Sequence, residues 1–294
     1  MRALITGATG YAGSHLARHL VESGDETHIV TRPGSDWGRI EDIRDRVQAF
    51  VYTGQLTDLT AYMESHGAFD AVFYIAAAAG YDDAPVDDYL QGNIVFGTHL
   101  LEAMARTECG IFINTGTVWV HGQNRDYDPV CLYAATKAAF GKIIDYYAQA
   151  RGIKAITLEM YDSYGEDDIR PKLVQLLRQA ARTGVPLDTT PGEQPIALVH
   201  IDDITAGYVR AYELASQMRA PAQETYVLDA DGAVTVKELI GRMEKIWGRP
   251  VPVNLGVKPY REREVMTLWD KGVRLPGWKP DIGLNEGLGR LGHF

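Results

Sequence analysis

The chain lacks most of what would place it among secreted, membrane or nucleic-acid-binding proteins. It has only 2 cysteines in 294 residues, Cys109 and Cys131, which suggest neither a disulfide framework nor a metal site. No apolar run approaches the ~20 residues that a membrane-spanning helix needs. Lys and Arg total 29 against 39 Asp and Glu, a formal net charge of -10, and no basic cluster offsets that balance. This argues against a nucleic-acid partner. Residues 1–5 enter an apolar strand with no charged leader or cleavage site, so the expectation is no signal peptide and a reducing, cytoplasmic setting. Repeats and low-complexity linkers are also missing. What remains is an ordinary apolar content on a chain long enough for one large core or two joined lobes.

The most informative stretch comes first. Residues 2–6 read as a short apolar strand, followed by Gly7-Ala8-Thr9-Gly10-Tyr11-Ala12-Gly13 and a helical run to Ser23. A strand, a glycine turn and a helix opening make a phosphate cradle. Gly7 permits the tight turn, Gly10 lets backbone approach a pyrophosphate, and Gly13 allows close helix-strand packing. Thr9, Tyr11 and Ala12 complete the loop that would line a dinucleotide. The next strand, 27–30, ends in Thr31-Arg32, where an NAD site usually carries an acidic residue for the ribose 2'-hydroxyl. No carboxylate repels a 2'-phosphate there and a guanidinium is at hand, so NADP(H) is preferred and NAD(H) is the alternative. Gln55 and Leu56 follow a third strand and are candidates for the adenine. A fourth strand, 69–75, is continuously apolar as a buried parallel strand should be. It runs into Ala76 and Ala77, whose small side chains leave room for a cofactor.

A fifth strand, 111–115, delivers Thr117 to the carboxyl edge of the predicted sheet, where ligands of doubly wound folds bind. Beyond it, Tyr133-Ala134-Ala135-Thr136-Lys137 reads as helix, with Tyr133 and Lys137 on one face. A lone tyrosine titrates near ~10 and is a poor acid at neutrality. An ammonium one turn away is expected to lower that value. The spacing alone fits any surface helix; the upstream dinucleotide fingerprint gives it weight. A sixth strand spans 155–160, and after it the alternation becomes irregular. Residues 169–183 are predicted helical with Arg170 and Lys172 at the start, and 235–247 form another helix. His200 reads as a packed corner residue. Arg261 and Arg263 lie in a charged loop, either solvated or clamping phosphate. The fold expected is α/β, a Rossmann-type doubly wound parallel sheet with a smaller mixed C-terminal substrate lobe. The dinucleotide domain takes 1–160, with about 196–215 and 224–232 returning to it, and the smaller lobe takes most of 161–294.

These residues together resemble the extended short-chain dehydrogenase/reductase family, in the branch that acts on nucleotide sugars. Gly7, Gly10 and Gly13 match its glycine fingerprint, and residues 93–103, beginning at Asn93, match its N-x-x-G-T-x-x-L-L-E-A helix. Thr117, Tyr133 and Lys137 match its catalytic set, residues 161–165 the segment usually reading F-N-x-Y-G, and 232–239 its late helix entry. Residues 114–119, 132–137 and 191–194 are similar to the abequose and paratose synthase group, which reduces a CDP-4-keto-3,6-dideoxyhexose with NADPH. The resemblance implies that Asn93 lies at the cofactor, that Lys137 contacts the nicotinamide ribose, and that a homodimer forms through the helices carrying Asn93 and Tyr133. Four positions depart from the pattern: Gln55, Tyr74, Asp162 and Ile196. The last two weaken the usual phosphate site and move the candidates to Arg170, Lys172, Arg261 and Arg263, with Trp119 and Asp162 nearer the sugar. Val118 and Trp119 replace the acidic pair of the sugar dehydratases, so no dehydratase activity is expected.

Overall fold

The first unit forms as its apolar run dictates. β1 (Arg2–Thr6) is buried from Ala3 onward and passes through the glycine turn into α1 (Tyr11–Glu22), whose buried stripe includes Leu16, Ala17 and Leu20. In this computed structural model, which describes residues 1–292 apart from 82, 83, 108 and 231, the pattern then repeats. β2 (Glu26–Thr31), β3 (Gln48–Val51), α2 (Leu56–His66) and β4 (Ala71–Tyr74) follow in turn. A long helical run comes next: α3 (Val86–Leu90), a π-helical turn (Gln91–Val95) and α4 (Phe96–Arg106). β5 (Ile111–Thr117), α5 (Leu132–Arg151) and β6 (Lys154–Met160) close the first half, and β11 (Ala222–Leu228) returns later to the sheet edge. The seven strands lie in the order β11-β6-β5-β4-β1-β2-β3, all parallel.

Every residue of β4 is fully buried, as a parallel strand covered on both faces requires. The strand order reverses between β1 and β4, which opens a crevice at their carboxyl ends. Thr6 fastens its floor: its hydroxyl oxygen accepts from the backbone N–H groups of Ile75 and Ala76, each at 3.1 Å. That single side chain fixes the small-residue loop after β4 against the glycine turn after β1.

The smaller lobe is built from short ladders and helices. β7 (Asp162–Tyr164) pairs with β10 (Leu198–His200), β8 (Leu187–Asp188) with β13 (Val253–Asn254), and β9 (Pro195–Ile196) with β12 (Val234–Thr235). α6 (Leu173–Thr183), α8 (Val236–Trp247) and α9 (Leu284–Arg290) enclose a separate core around Leu177, Leu239, Met243 and Leu288. α7 (Ile201–Gln217) packs instead on α1, β5 and β6. His200 is 1% exposed and caps α7 while pairing with Glu166 at 2.9 Å, so it is a corner residue. Two helix starts in the smaller lobe differ from expectation. α6 begins at Leu173 rather than 169, because Pro171 drives the residue before it out of helical space and Asp168 holds Arg170. Thr235 is the cap of α8, not its first residue, in a capping box with Glu238.

Candidate active site

Glycine is obligatory at two points of the first turn. Gly7 has φ 71°, and a Cβ at Gly13 would lie 2.1 Å from the Gly7 carbonyl oxygen. Gly10 is exposed and precedes α1 in extended conformation, so the helix start stands open beside half-buried Thr9 and Ala12. The residues present therefore fit a dinucleotide pyrophosphate. Tyr11 is different: its ring is 5% exposed and lies 4.1 Å beneath the Arg170 guanidinium, leaving only its backbone for the cradle. Thr31 is buried at the end of β2, while Arg32 is exposed and none of the ion pairs among the described residues involves it. Gln55 is exposed at the start of α2, with Leu56 half-buried beside it. Ala76 is half-buried and Ala77 exposed on the loop after β4.

Asn93 is turned into the fold. It is fully buried, and its amide accepts from Ala78 N at 2.9 Å while donating to Ala78 O and to Thr136 Oγ1, each at 3.0 Å. Thr136 in turn donates to the Tyr133 carbonyl at 2.8 Å. The π-helical turn thus places Asn93 as a staple between the β4 loop and the catalytic helix, a positioning role.

β5 and α5 carry the three candidate catalytic side chains. Thr117 ends β5, 7% exposed, and its oxygen accepts from Trp119 N at 3.2 Å, leaving the hydroxyl proton to donate. Lys137 is 4% exposed with no hydrogen-bond partner for Nζ, which sits 5.3 Å above the Tyr74 ring. Burial holds this ammonium down to about 7. Tyr133 is half-buried against Trp119, with ring centroids 6.4 Å apart. Burial, then the nearby Cys131 and Asp162, push its phenol above the ordinary value. The expectation that Lys137 lowers Tyr133 therefore fails in the free chain. The reason is physical: both groups are desolvated, and a buried amine that loses its proton readily exerts little pull on a phenol. A cleft of about 560 Å³ touches Thr117, Lys137, Asn114 and Glu159 but runs out along α5 to Lys142, Asp145 and Thr225, and Tyr133 is not among its lining residues; Asn114 Oδ1 beside it is buried with no partner among the described residues.

Opposite Tyr133 stands the polar end of the site. Burial raises the Asp162 carboxyl, opposed by Lys172, Arg170 and Arg261 around it. Arg170 is largely committed: its guanidinium donates to both oxygens of Asp168 at 2.7 Å and to Ser163 Oγ at 3.0 Å. Arg263 is removed from the pocket by an ion pair with Asp128. Lys172 Nζ stands 5.9 Å over Trp119, and Arg261 lies 4.4 Å over Tyr81, whose own ring meets Trp119 at 5.9 Å. Of the cations named from sequence, Lys172 and Arg261 are the two that stand beside an aromatic wall with no side-chain ion pair among the described residues.

The profile of the NAD dependent epimerase/dehydratase family matches residues 3–228. The chain belongs to that family. It is an enzyme of the NAD(P)-dependent oxidoreductase/epimerase type. CDP-abequose synthase of Yersinia pseudotuberculosis is 29% identical over 268 residues, covering 90% of this chain and 91% of that one. UDP-glucose 4-epimerase of Corynebacterium glutamicum is 26% identical, covering 96% and 91%. A solved UDP-glucuronic acid 4-epimerase from Bacillus cereus superposes with a TM-score of 0.84 at 24% identity over 98% of this chain and 96% of the other. No helix among the described residues is long and apolar enough to cross a membrane.

Several contributors to this epimerase/dehydratase-family site are not legible as motifs. Thr6 and Tyr74 read as ordinary strand residues, although Tyr74 donates to the Gly92 carbonyl at 2.5 Å and carries Lys137 on its ring. The only signal for Tyr74 was its departure from the family pattern. Tyr81, His121 and Trp269 gave none, because their partners lie in distant segments.

Proposed function

We propose that the protein reduces the 4-keto group of a nucleotide-linked deoxyhexose of the CDP-4-keto-3,6-dideoxyhexose type, using NADPH. The observation that carries this reading is the end of β2, where Thr31 is buried, no carboxylate stands, and exposed Arg32 is unpaired among the described residues. That chemistry suits a 2'-phosphate and hence a reducing cofactor. A bound dinucleotide would be held by the 7–13 turn, Arg32, Gln55, Leu56, Ala76, Ala77 and Lys137, and would supply the hydride. Thr117 hydrogen-bonds the sugar carbonyl oxygen and aligns it. Tyr133 gives its proton to that oxygen as the alcohol forms. Lys137 gains a partner when the site fills, its charge returns, and the phenol is then tuned as it is not in the free chain. Lys172 and Arg261 serve the substrate diphosphate, Asp162 accepts from a sugar hydroxyl, and Trp119 covers a deoxygenated face. The kinship with CDP-abequose synthases supports the choice of sugar and base. The protein works as a cytoplasmic homodimer through α4 and α5 on the same reading.

A second reading, an epimerase that keeps NAD through its cycle, is favoured by the UDP-sugar epimerase relatives. Calorimetry with CDP, UDP, TDP and GDP, each with NADPH present, tests the first. CDP is expected to bind best, and binding of none of the four overturns the nucleotide-sugar assignment. Tightly held NAD in the purified protein would move the assignment to the epimerase.

A further inference from the structure

His121 lies four residues beyond Thr117, and its imidazole is surrounded in an unusual way. Nε2 faces the Glu159 carboxylate at 3.1 and 3.2 Å, while Nδ1 faces the Asp126 carbonyl at 2.8 Å and that of Arg125 at 3.2 Å. Both ring nitrogens meet acceptors only. A neutral imidazole has one N–H and would set a lone pair against one of those oxygens; the imidazolium donates to both sides. The ring face is also occupied. Trp269 stacks on it with centroids 3.9 Å apart and planes within 10°. Lys271 Nζ stands 5.5 Å from the same indole.

Trp269 belongs to the segment 259–275, which runs across the loop that follows Thr117. Gln123 donates to the Glu264 carbonyl at 2.6 Å and accepts from Met266 N at 3.2 Å; Asn124 pairs with Asp270, donating at 2.8 Å and accepting at 3.3 Å. Arg263 pairs with Asp128, and Tyr161 donates to the Trp269 carbonyl. The same segment carries Arg261 to the aromatic wall of the pocket.

We propose that His121 is a positioning residue, whose imidazolium, stacked on Trp269, clamps the 259–275 strap so that Arg261 is held at the substrate pocket. The functional half of this proposal rests on the reading of that pocket as a nucleotide-sugar site; the clamp itself does not. The surrounding charges leave Glu159 as the partner of His121. Asp126 pairs with Lys271 at 3.6 Å, Arg125 with Asp128 at 3.7 Å, and Arg263 with Asp128; Asp270 is held by Asn124, and Glu264 follows Arg263 on the strap. Burial alone would lower His121, but the Glu159 hydrogen bond and charge, with the two loop carbonyls, raise it above its ordinary value. A raised histidine keeps its clamp below the folded-state value and loses it as pH rises through that value. The clamp is therefore lost at a pH above the ordinary histidine value.

A stacked imidazolium quenches indole emission, so the clamp has its own optical signal. Trp269 is one of 5 tryptophans, and its share is isolated as the difference between the parent protein and Trp269→Phe. That difference is followed from about pH 5.5 to about pH 9.5, across the histidine range, without cofactor. The expected result is a rise in Trp269 emission with a midpoint above the ordinary histidine value, abolished in His121→Gln. In parallel, CDP and UDP binding is measured by calorimetry at both ends of the range, with and without Arg261→Ala. Affinity is expected to fall roughly threefold to thirtyfold on the alkaline side, the scale of one lost cation-π contact, and to be flat in His121→Gln and Arg261→Ala. A flat Trp269 signal, or a midpoint at or below the ordinary value, overturns the clamp. A titrating Trp269 signal with unchanged nucleotide affinity overturns the positioning role while leaving the clamp. Should His121→Gln not fold, the difference from Trp269→Phe still decides the first point. Nucleotides that bind at neither pH overturn the reading of the pocket and not the clamp.

Discussion

The two halves of the site are held in opposite ways. The dinucleotide half, from β1 to α5, is fixed by close backbone packing, apolar burial and two buried polar side chains: Gly13 against the Gly7 carbonyl, a fully buried β4, and Thr6 and Asn93 on the loop after β4. The substrate half is fixed by charged and aromatic side-chain pairs, with Arg170 on neighbouring Asp168 and distant Tyr11, Arg263 on Asp128, and Trp269 on His121. Close-packed sites tolerate little change of shape, whereas a partly exposed pair such as Arg263 and Asp128 can exchange partners at small cost. One family can therefore keep a constant cofactor cradle and vary its sugars across the other side.

Changing the reacting atom should break this contrast most severely. Tyr133→Phe removes the proton donor but not the cradle, so turnover is expected to fall by roughly two to four powers of ten, with NADPH binding retained in a fluorescence titration. Full activity in that variant would end the mechanism proposed above. Next comes the buried amine. Lys137 is held down to about 7 by burial, so below that pH it is a charge without a partner, and its cost eases as pH rises towards the unfolded value near ~10.4. Lys137→Met is expected to abolish turnover yet gain on the order of 1–4 kcal/mol of stability near pH 6, the range seen when buried charge gives way to apolar volume. The gain should shrink in denaturant melts at pH 9, and a destabilised variant would contradict the account. Arg32→Ala should cut the preference for NADPH over NADH roughly tenfold, the worth of one charged hydrogen bond. A parent protein that prefers NADH would refute the reading of β2. The smallest effect expected is none at all: Val118 and Trp119 cannot move a proton, so no 4-keto-6-deoxy product should form from intact nucleotide hexoses in a product assay.

The same contrast explains how far the sequence could be read. The glycine turn, the parallel sheet and the placement of Thr117 at a strand end and of Tyr133 and Lys137 on one helix follow from spacing, because strand, turn and helix fix those positions locally. Asn93 is legible as a motif but its bonds to Ala78 and Thr136 are not, since only the fold brings those partners to it. Arg170 and Arg263 read as free cations, because their partners at Asp168 and Asp128 compete through contacts that composition does not reveal. The effect of Lys137 on Tyr133 was drawn from helix geometry alone, which carries no information about shared desolvation.

The strap across the 121–128 loop has a further consequence in the order of synthesis. Thr117, Tyr133 and Lys137 leave the ribosome well over a hundred residues before Trp269, and translation proceeds at roughly 5–20 residues per second. For several seconds a nascent chain can hold its cradle and catalytic helix while His121, Gln123, Asn124 and Asp128 still wait for partners. The end of the strap also bonds to Val227 on β11, and Leu275 and Trp278 enter the core beneath the central sheet. Both halves of the site therefore reach their final packing only once the last segment of the chain has been made.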